Sequence, residues 1–241
     1  MKKLPIGIQA FAKIREAEVC YVDKTRFVKS LVEQGQYFFL SRPRRFGKSL
    51  FLDTLKEAFE GNRALFEGLY LERNWDWSKK FPVIRISFGG GVLKSRGQLD
   101  QAIRERLQEH FRHQGFTPAS DSIAGIFREF ILWLHEGKGP VVVLIDEYDK
   151  PILDNITDPV QAVEMREGLK NFYSVLKDAD PYLKFVFLTG VSKFSKVSLF
   201  SGLNNLQDIT LDPRYATVCG YSHPELIDVF AEHLINRNLE E

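Results

Sequence analysis

The stretch Tyr37-Phe38-Phe39-Leu40-Ser41 predicts a strand, and it is followed closely by Phe46-Gly47-Lys48-Ser49 and a helical pattern. Apolar residues recur at helical spacing from Lys48 to Phe59, and Gly61 follows as a residue type that commonly ends helices. A glycine loop between a strand and a helix is what a phosphate site requires, because N–H groups at the helix N-terminus face the anion. The stretch therefore predicts an α/β fold with a phosphate-binding (Walker A) loop at this junction.

The rest of the chain alternates apolar runs with helical periodicity, which is typical of βα units around a parallel sheet. Further strands are predicted at 82–88, 141–145, 183–188 and 206–211, and helices at 98–114, 122–135, 160–179 and 224–238. The run from Val141 to Ile145 is the most hydrophobic, and we predict it to be the central strand, buried on both faces. The expected fold is an α/β P-loop NTPase with a doubly wound, mainly parallel sheet of about five strands and helices on both faces.

Composition excludes several classes of protein. The 241 residues are 44% hydrophobic and 27% charged with a formal net charge of +1, so charge gives no general case for nucleic-acid binding. Cys20 and Cys219 are far apart, which argues against a disulfide scaffold or a zinc site. No apolar run approaches the ~20 residues of a membrane helix, and no secretory signal is visible. We expect a soluble, cytoplasmic protein with no membrane partner.

Three segments are expected along the chain. Residues 1–35 should pack near the nucleotide site, 36–220 should form the ATPase core, and 221–241 should start a helical lid or linker. The last predicted helix begins a unit that Glu241 does not complete, so we expect the sequence to stop before a further domain.

The Gly47-Lys48-Ser49 tripeptide predicts specific contacts with a nucleotide. Lys48 would reach the β- and γ-phosphates, and the Ser49 hydroxyl would ligate Mg²⁺. The general pattern G-x-x-x-x-G-K-[ST] has a first glycine where this chain has Arg42, so the loop must enter by another conformation, which Pro43 could set. Alone, the tripeptide fits a helix start without a ligand equally well. The residues assigned to nucleotide binding in this loop are Arg44, Arg45, Phe46, Gly47, Lys48, Ser49 and Leu50.

A second motif supports the first. The buried run ends in Asp146 and Glu147, and adjacent carboxylates at such a place need a cation or hydrogen bonds. Mg²⁺ held through water by Asp146 would satisfy them, with Glu147 as the general base that polarises the attacking water (Walker B). An ordinary strand-to-loop exit is the alternative, but together with Lys48 the pair makes a strong prediction of Mg·ATP binding.

Other polar residues have more than one interpretation. Thr189 or Ser192 could orient the catalytic water, or could be ordinary turn residues. Arg44 and Arg45 could neutralise the γ-phosphate, contact DNA, or be solvated, while Arg42 is expected to be held by a carboxylate of the sheet's edge or a neighbouring loop.

Asp23 has two interpretations as well, because the segment from Tyr21 to Thr25 precedes the first strand and could cover the base or ribose of the nucleotide. Alternatively, Asp23 or Thr25 caps a helix that includes Phe27 to Val32.

The motifs resemble the bacterial and archaeal AAA-ATPase-like family across essentially the whole chain. The resemblance rests on Tyr21-Val22-Asp23-Lys24-Thr25, Ser41-Arg42-Pro43-Arg44-Arg45-Phe46-Gly47-Lys48-Ser49, Leu144-Ile145-Asp146-Glu147-Tyr148-Asp149-Lys150-Pro151, Thr189-Gly190-Val191-Ser192-Lys193-Phe194 and Leu203-Asn204-Asn205-Leu206-Gln207-Asp208-Ile209-Thr210. It implies that Arg42 is the family's own variant of the loop. It also implies ATP as ligand and often a C-terminal nuclease domain of the PD-(D/E)XK type.

The leading functional hypothesis is an ATP hydrolase that drives or gates an attached effector, such as a nuclease acting on DNA. An interaction module that senses ATP with little hydrolysis is the alternative, and Glu147 argues against it. A P-loop kinase is disfavoured, because Asp146-Glu147 is expected on a strand separated from the first strand by another one.

Overall fold

The computed structural model describes residues 2–192, 199–200, 203 and 205–234. Its strands are β1 (Tyr37–Ser41), β2 (Val83–Ser87), β3 (Val141–Asp146), β4 (Leu183–Gly190) and β5 (Gln207–Asp208). They form one sheet in the order β2-β3-β4-β1-β5, and every neighbouring pair is parallel. The predicted five-stranded parallel sheet is therefore confirmed, and β4 separates β1 from β3 as expected.

The prediction that β3 is the central strand is wrong, because β4 occupies the middle position. The residues of β3 are all buried, but this is true of an interior strand in any position. Hydrophobicity therefore reports burial on both faces, whereas the place of a strand in the sheet depends on the connections between strands. The predicted 206–211 strand is also shorter than expected, because only Gln207 and Asp208 pair with β1.

Helices cover both faces of the sheet. They include α1 (Phe11–Glu16), α2 (Thr25–Gln34), α3 (Lys48–Phe59), α4 (Tyr70–Asn74), α5 (Arg96–Gln114), α6 (Ile123–Lys138), α7 (Lys150–Leu153), α8 (Pro159–Asp178), α9 (His223–Val229) and α10 (Ala231–Leu234). Alternate strand residues supply the two cores: Tyr37 and Phe39 pack with α5, α6 and α8, whereas Phe38 and Leu40 pack with α2 and α3. This alternation follows from the two-residue period of a strand.

The helix that carries the predicted phosphate site begins and ends where the sequence predicts. Gly47 precedes α3 in the left-handed conformation (φ 89°, ψ 12°). After Phe59 the chain turns through Gly61 (φ 78°), whose N–H donates to Ala58 O at 3.1 Å, while Asn62 N–H donates to Glu57 O at 3.1 Å. This pair of bonds satisfies carbonyls that the helix end would otherwise leave without partners.

The single helix predicted at 224–238 is interrupted at Phe230. This residue lies between α9 and α10 with φ −111° and ψ 17°, and its side chain is buried against Cys20 and Val22. Packing against the N-terminal segment therefore sets the break, and helical periodicity cannot reveal such a long-range contact. Residues 235–241 lie outside the described part of the chain. Within the described part, no helix is both long and apolar enough to cross a bilayer.

Candidate functional site

The candidate site is a cavity of about 730 Å³ beside the loops that follow β1 and β3. Its volume lies within the roughly 300–1,000 Å³ that is usual for small-molecule sites. The predicted residues on its wall are Arg44, Arg45, Phe46, Gly47, Lys48, Ser49, Leu50 and Glu147. The fold thus brings the loop residues and the predicted general base to one cavity.

The loop between β1 and α3 wraps around the Lys48 side chain. The Lys48 ammonium donates hydrogen bonds to the carbonyl oxygens of Arg42 and Pro43, each at 2.9 Å. Arg45 and Gly47 both have positive φ angles, 64° and 89°. A Cβ at Gly47 would meet no atom within 4 Å, so the backbone conformation is what requires glycine there.

Arg42 occupies the position at which the general loop pattern has its first glycine. Arg42 does not have a positive φ angle, so the backbone at this position does not require a glycine. The guanidinium instead donates to Ser41 O at 3.1 Å, Thr210 O at 2.6 Å and Tyr215 O at 3.3 Å. Arg42 is therefore held by a neighbouring loop, as one alternative predicted, but through carbonyl oxygens and not through a carboxylate.

The electrostatics around Lys48 are those of a buried cation near acidic groups. Lys48 is only 6% exposed, and burial lowers the pKa of its ammonium. The carboxylates of Asp146 and Glu147 act in the opposite direction and favour the charged form. An anion that entered the cavity would add to this second effect.

Asp146 lies at the end of β3 and is held by a residue of β4. It is 3% exposed and, unlike Glu147, is not on the cavity wall. Its Oδ1 accepts a hydrogen bond at 2.5 Å from the hydroxyl of Thr189, which is fully buried and also absent from the wall. The two strands are parallel, with Ile145 opposite Leu188, so the next residue of each lies at the same edge. The Thr189 hydroxyl thus donates its hydrogen to Asp146. This favours a role for Thr189 in positioning the Asp146 carboxylate over a role in orienting a water molecule directly.

Glu147 lies on the cavity wall in an uncommon backbone conformation. Its φ is 52°, a region that residues other than glycine seldom adopt and that is enriched at functional sites. A Cβ built on Gly89 would lie in ordinary contact with the Glu147 carboxylate, at 3.5 Å, so the loop that follows β2 packs directly beside Glu147.

Ser192 is absent from the cavity wall, and its N–H donates to Asp149 Oδ2 at 2.7 Å. The nearby motif residues Lys193, Phe194 and Asn204 lie outside the described part of the chain.

The nucleotide contact predicted for Asp23 does not fit its surroundings. Both carboxylate oxygens accept backbone N–H groups, from Thr25 at 2.8 Å and from Tyr70 at 2.7 Å, and the residue is not on the cavity wall. These bonds favour the alternative in which Asp23 supports the start of α2, because it accepts the N–H of Thr25, the first residue of the helix, although Lys24 occupies the N-cap position. Its neighbour Lys24 does line the cavity, and the Lys24 ammonium donates to Glu225 Oε1 at 2.6 Å.

Two further walls of the cavity come from segments outside the loops that follow β1 and β3. The N-terminal segment supplies residues 5–9 together with Tyr21 and Val22, and the chain after β5 supplies residues 218–221. The second wall is tied to the loop, since Gly220 N–H donates to Phe46 O at 3.0 Å. The sequence predicted the first segment only as a region near the nucleotide site, and it did not predict residues 5–9 or 218–221 individually, because their proximity to the loop arises only in the fold.

The family model described as "Predicted AAA-ATPase" matches residues 5–200. The chain belongs to the AAA-ATPase-like family. This membership confirms the resemblance seen in the motifs and supports nucleotide binding at the cavity.

The AAA-ATPase-like chain is also similar to a protein of Azotobacter chroococcum mcd 1 described as "Uncharacterized protein in vnfD 5'region". The two are 55% identical over 242 residues, and the alignment covers 100% of this chain and 47% of that protein. The chain thus spans about half the length of this curated relative.

Proposed function

We propose that this chain binds Mg·ATP and hydrolyses it, and that hydrolysis drives or gates an attached effector. The observation that carries the proposal is that the loop around Lys48 and the carboxylate of Glu147 line one cavity. A phosphate-binding loop alone would support binding, whereas a carboxylate placed on the same wall supports catalysis as well.

The start of α3 is suited to hold the phosphates. The first N–H groups of a helix have no intrahelical partner, and the helix dipole places partial positive charge there. Lys48 adds a full charge, and two of the three donors of its ammonium are used on Arg42 O and Pro43 O. We assign the remaining donor to the β- and γ-phosphates.

Mg²⁺ would be held by the Ser49 hydroxyl and, through water, by Asp146. In the described ranges, no group of three or more His, Cys, Asp or Glu side chains could hold a metal ion by itself. This fits Mg²⁺, which proteins usually bind through one or two carboxylates together with substrate phosphates. When bound, the ion would neutralise negative charge on the phosphates.

Glu147 is the group that we assign as general base. Its carboxylate would accept a proton from the attacking water, while Thr189 fixes the neighbouring Asp146. Arg44 and Arg45, both exposed on the cavity wall, could stabilise charge on the γ-phosphate. Contact of these arginines with DNA is the second possibility.

The base of the nucleotide would lie against the remaining walls. Ile6, Ile8, Tyr21 and Val218 give these walls apolar and aromatic surface, which suits a flat heterocycle. The chain spans about half the length of the curated relative, and the effector that we propose is a nuclease domain that acts on DNA.

Two substitutions test this proposal. Glu147→Gln should keep ATP affinity and lose turnover by about 10²–10⁴-fold, the usual contribution of a general base. Asp146→Ala should instead weaken binding in the presence of Mg²⁺. Glu33→Gln, on the outer face of α2, is the matched control and should leave turnover unchanged.

A wild-type protein that binds ATP but does not turn it over, even with DNA, would contradict hydrolysis. It would favour an ATP-sensing interaction module.

A further inference from the structure

Asp149 lies three residues after Asp146 and is fully buried, yet it does not line the cavity. Its carboxylate accepts backbone N–H groups from the loop that follows β4. Oδ2 accepts from Val191 at 3.1 Å and from Ser192 at 2.7 Å, and Oδ1 is 3.3 Å from the Val191 nitrogen. A carboxylate from the loop after β3 thus holds the loop after β4 at the edge of the sheet where the cavity lies.

Tyr148 reinforces the same connection. Its hydroxyl donates to Ser192 O at 2.8 Å, and its backbone N–H donates to Thr189 O at 3.0 Å. Gly190 permits the close approach, since a Cβ there would lie 2.3 Å from the Tyr148 ring and 2.8 Å from Asp149 Oδ1. The two loops are therefore packed against each other with no space for a side chain at Gly190.

These contacts restrain the backbone of Glu147 from both sides. On one side of Glu147, the Asp146 carboxylate accepts a hydrogen bond from the Thr189 hydroxyl. On the other side, the Tyr148 N–H donates to the Thr189 carbonyl. Glu147 thus keeps its left-handed conformation between two anchors on one residue of β4. Asp149 in turn fixes the segment that follows Thr189.

Lys150 extends the connection to a third loop. Its ammonium donates to Gly91 O at 2.6 Å, in the loop that follows β2 and contains Gly89 beside Glu147. The segment from Tyr148 to Lys150 therefore joins the loops after β2, β3 and β4. Burial of an ionised carboxylate at this junction costs free energy, and burial accordingly raises the pKa of Asp149. A purely apolar residue could fill the space but could not bind the two N–H groups.

We propose that Asp149 is a positioning residue for ATP hydrolysis, which holds the loop after β4 so that Thr189 and Asp146 keep Glu147 in place. The inference rests on the hydrolysis proposed above, and it assigns to Asp149 no contact with the nucleotide. Removal of its charge should therefore lower kcat and leave the affinity for Mg·ATP nearly unchanged.

The test compares Asp149→Asn with Asp53→Asn in the full chain. Asp53 is another buried carboxylate, which accepts Phe11 N–H at 2.6 Å and an ion pair from Arg85, away from the cavity wall. For Asp149→Asn we expect kcat to fall about 10–100-fold, the range found for groups that orient active-site ligands. The Kd for Mg·ATP should stay within about threefold. Asp53→Asn should lose stability while its kcat stays within about threefold of wild type.

Hydrogen exchange of the Val191 and Ser192 amides gives a second readout, and both should lose protection in Asp149→Asn. Should this variant fail to fold, Tyr148→Phe, which removes one bond to the same loop, should show a smaller fall in kcat with Kd unchanged. A kcat for the folded variant equal to that of wild type, or an equal loss of affinity and kcat, would overturn the inference. A wild type without turnover would instead refute the proposed hydrolysis, and the inference with it.

Discussion

Replacement of Thr189 by valine should isolate the contribution of the Thr189 hydroxyl to the candidate site. Valine keeps the branched shape of the side chain but has no hydroxyl. The bond to Asp146 is 2.5 Å long and both residues are buried. A hydrogen bond to a charged group contributes about 1.5–3 kcal/mol, and Thr189→Val would leave the carboxylate without it. For a domain of this size about 1 kcal/mol shifts Tm by roughly 2–4 °C, so Tm should fall by about 3–12 °C.

Thr189→Ser is the control, since it keeps the hydroxyl and loses a buried methyl group at a cost of about 1 kcal/mol. Urea unfolding should therefore show that the valine variant is the less stable of the two. A titration with Mg²⁺ in the presence of ATP should show about a 10–100-fold loss of metal affinity for valine alone. Equal stability and equal Mg²⁺ dependence of the two variants would refute the assigned role of Thr189.

Three further predictions concern the surroundings of the cavity. Gly190→Ala should destabilise the fold by about 1–3 kcal/mol in urea unfolding, because its Cβ would lie 2.3 Å from an aromatic ring carbon; wild-type stability would contradict this packing. In a Cys20→Ser background, Cys219 should react with iodoacetamide about 100-fold more slowly at pH 8 than an ordinary thiol, because burial raises its pKa to about 11. The reaction rate should keep rising with pH up to about 11, and a rate that levels off near pH 9 would disprove the pKa shift. Arg44→Ala and Arg45→Ala, assayed separately, should each lower ATP turnover if the arginines stabilise the γ-phosphate. A reduced salt dependence of DNA binding would instead identify DNA as their target. If neither turnover nor DNA binding changes, the arginines are solvated surface residues.

Much of the fold could be predicted from the sequence because its strands are buried and its helices carry clear end signals. The α3 helix is an example, since a loop glycine precedes it and Gly61 ends it in the left-handed conformation. The central position of β4 and the break at Phe230 could not be predicted in the same way. Both depend on contacts between segments that are distant in the chain, which local patterns do not encode.

The candidate site was predictable to the extent that its residues form local motifs. The loop around Lys48 and the pair Asp146 and Glu147 each follow a strand, so their types and spacing indicated their place. Asp149 belongs to one of the motifs without a predicted role of its own, and the signal for it is a third acid only three residues after the end of a buried strand. For Asp23 the sequence left two interpretations open, because a short polar segment before a helix is compatible with a cap or a ligand contact.

The most direct test of the central claim is a thermal-shift titration of wild type and Lys48→Ala with Mg·ATP. A ligand at a hundred times its Kd stabilises a protein by about 2.7 kcal/mol, which corresponds to a rise in Tm of roughly 5–11 °C here. We expect this rise for wild type and for the control Lys29→Ala on α2, and we expect Lys48→Ala to lose most of it. Equal shifts for wild type and Lys48→Ala would contradict the assignment of this loop as the phosphate site.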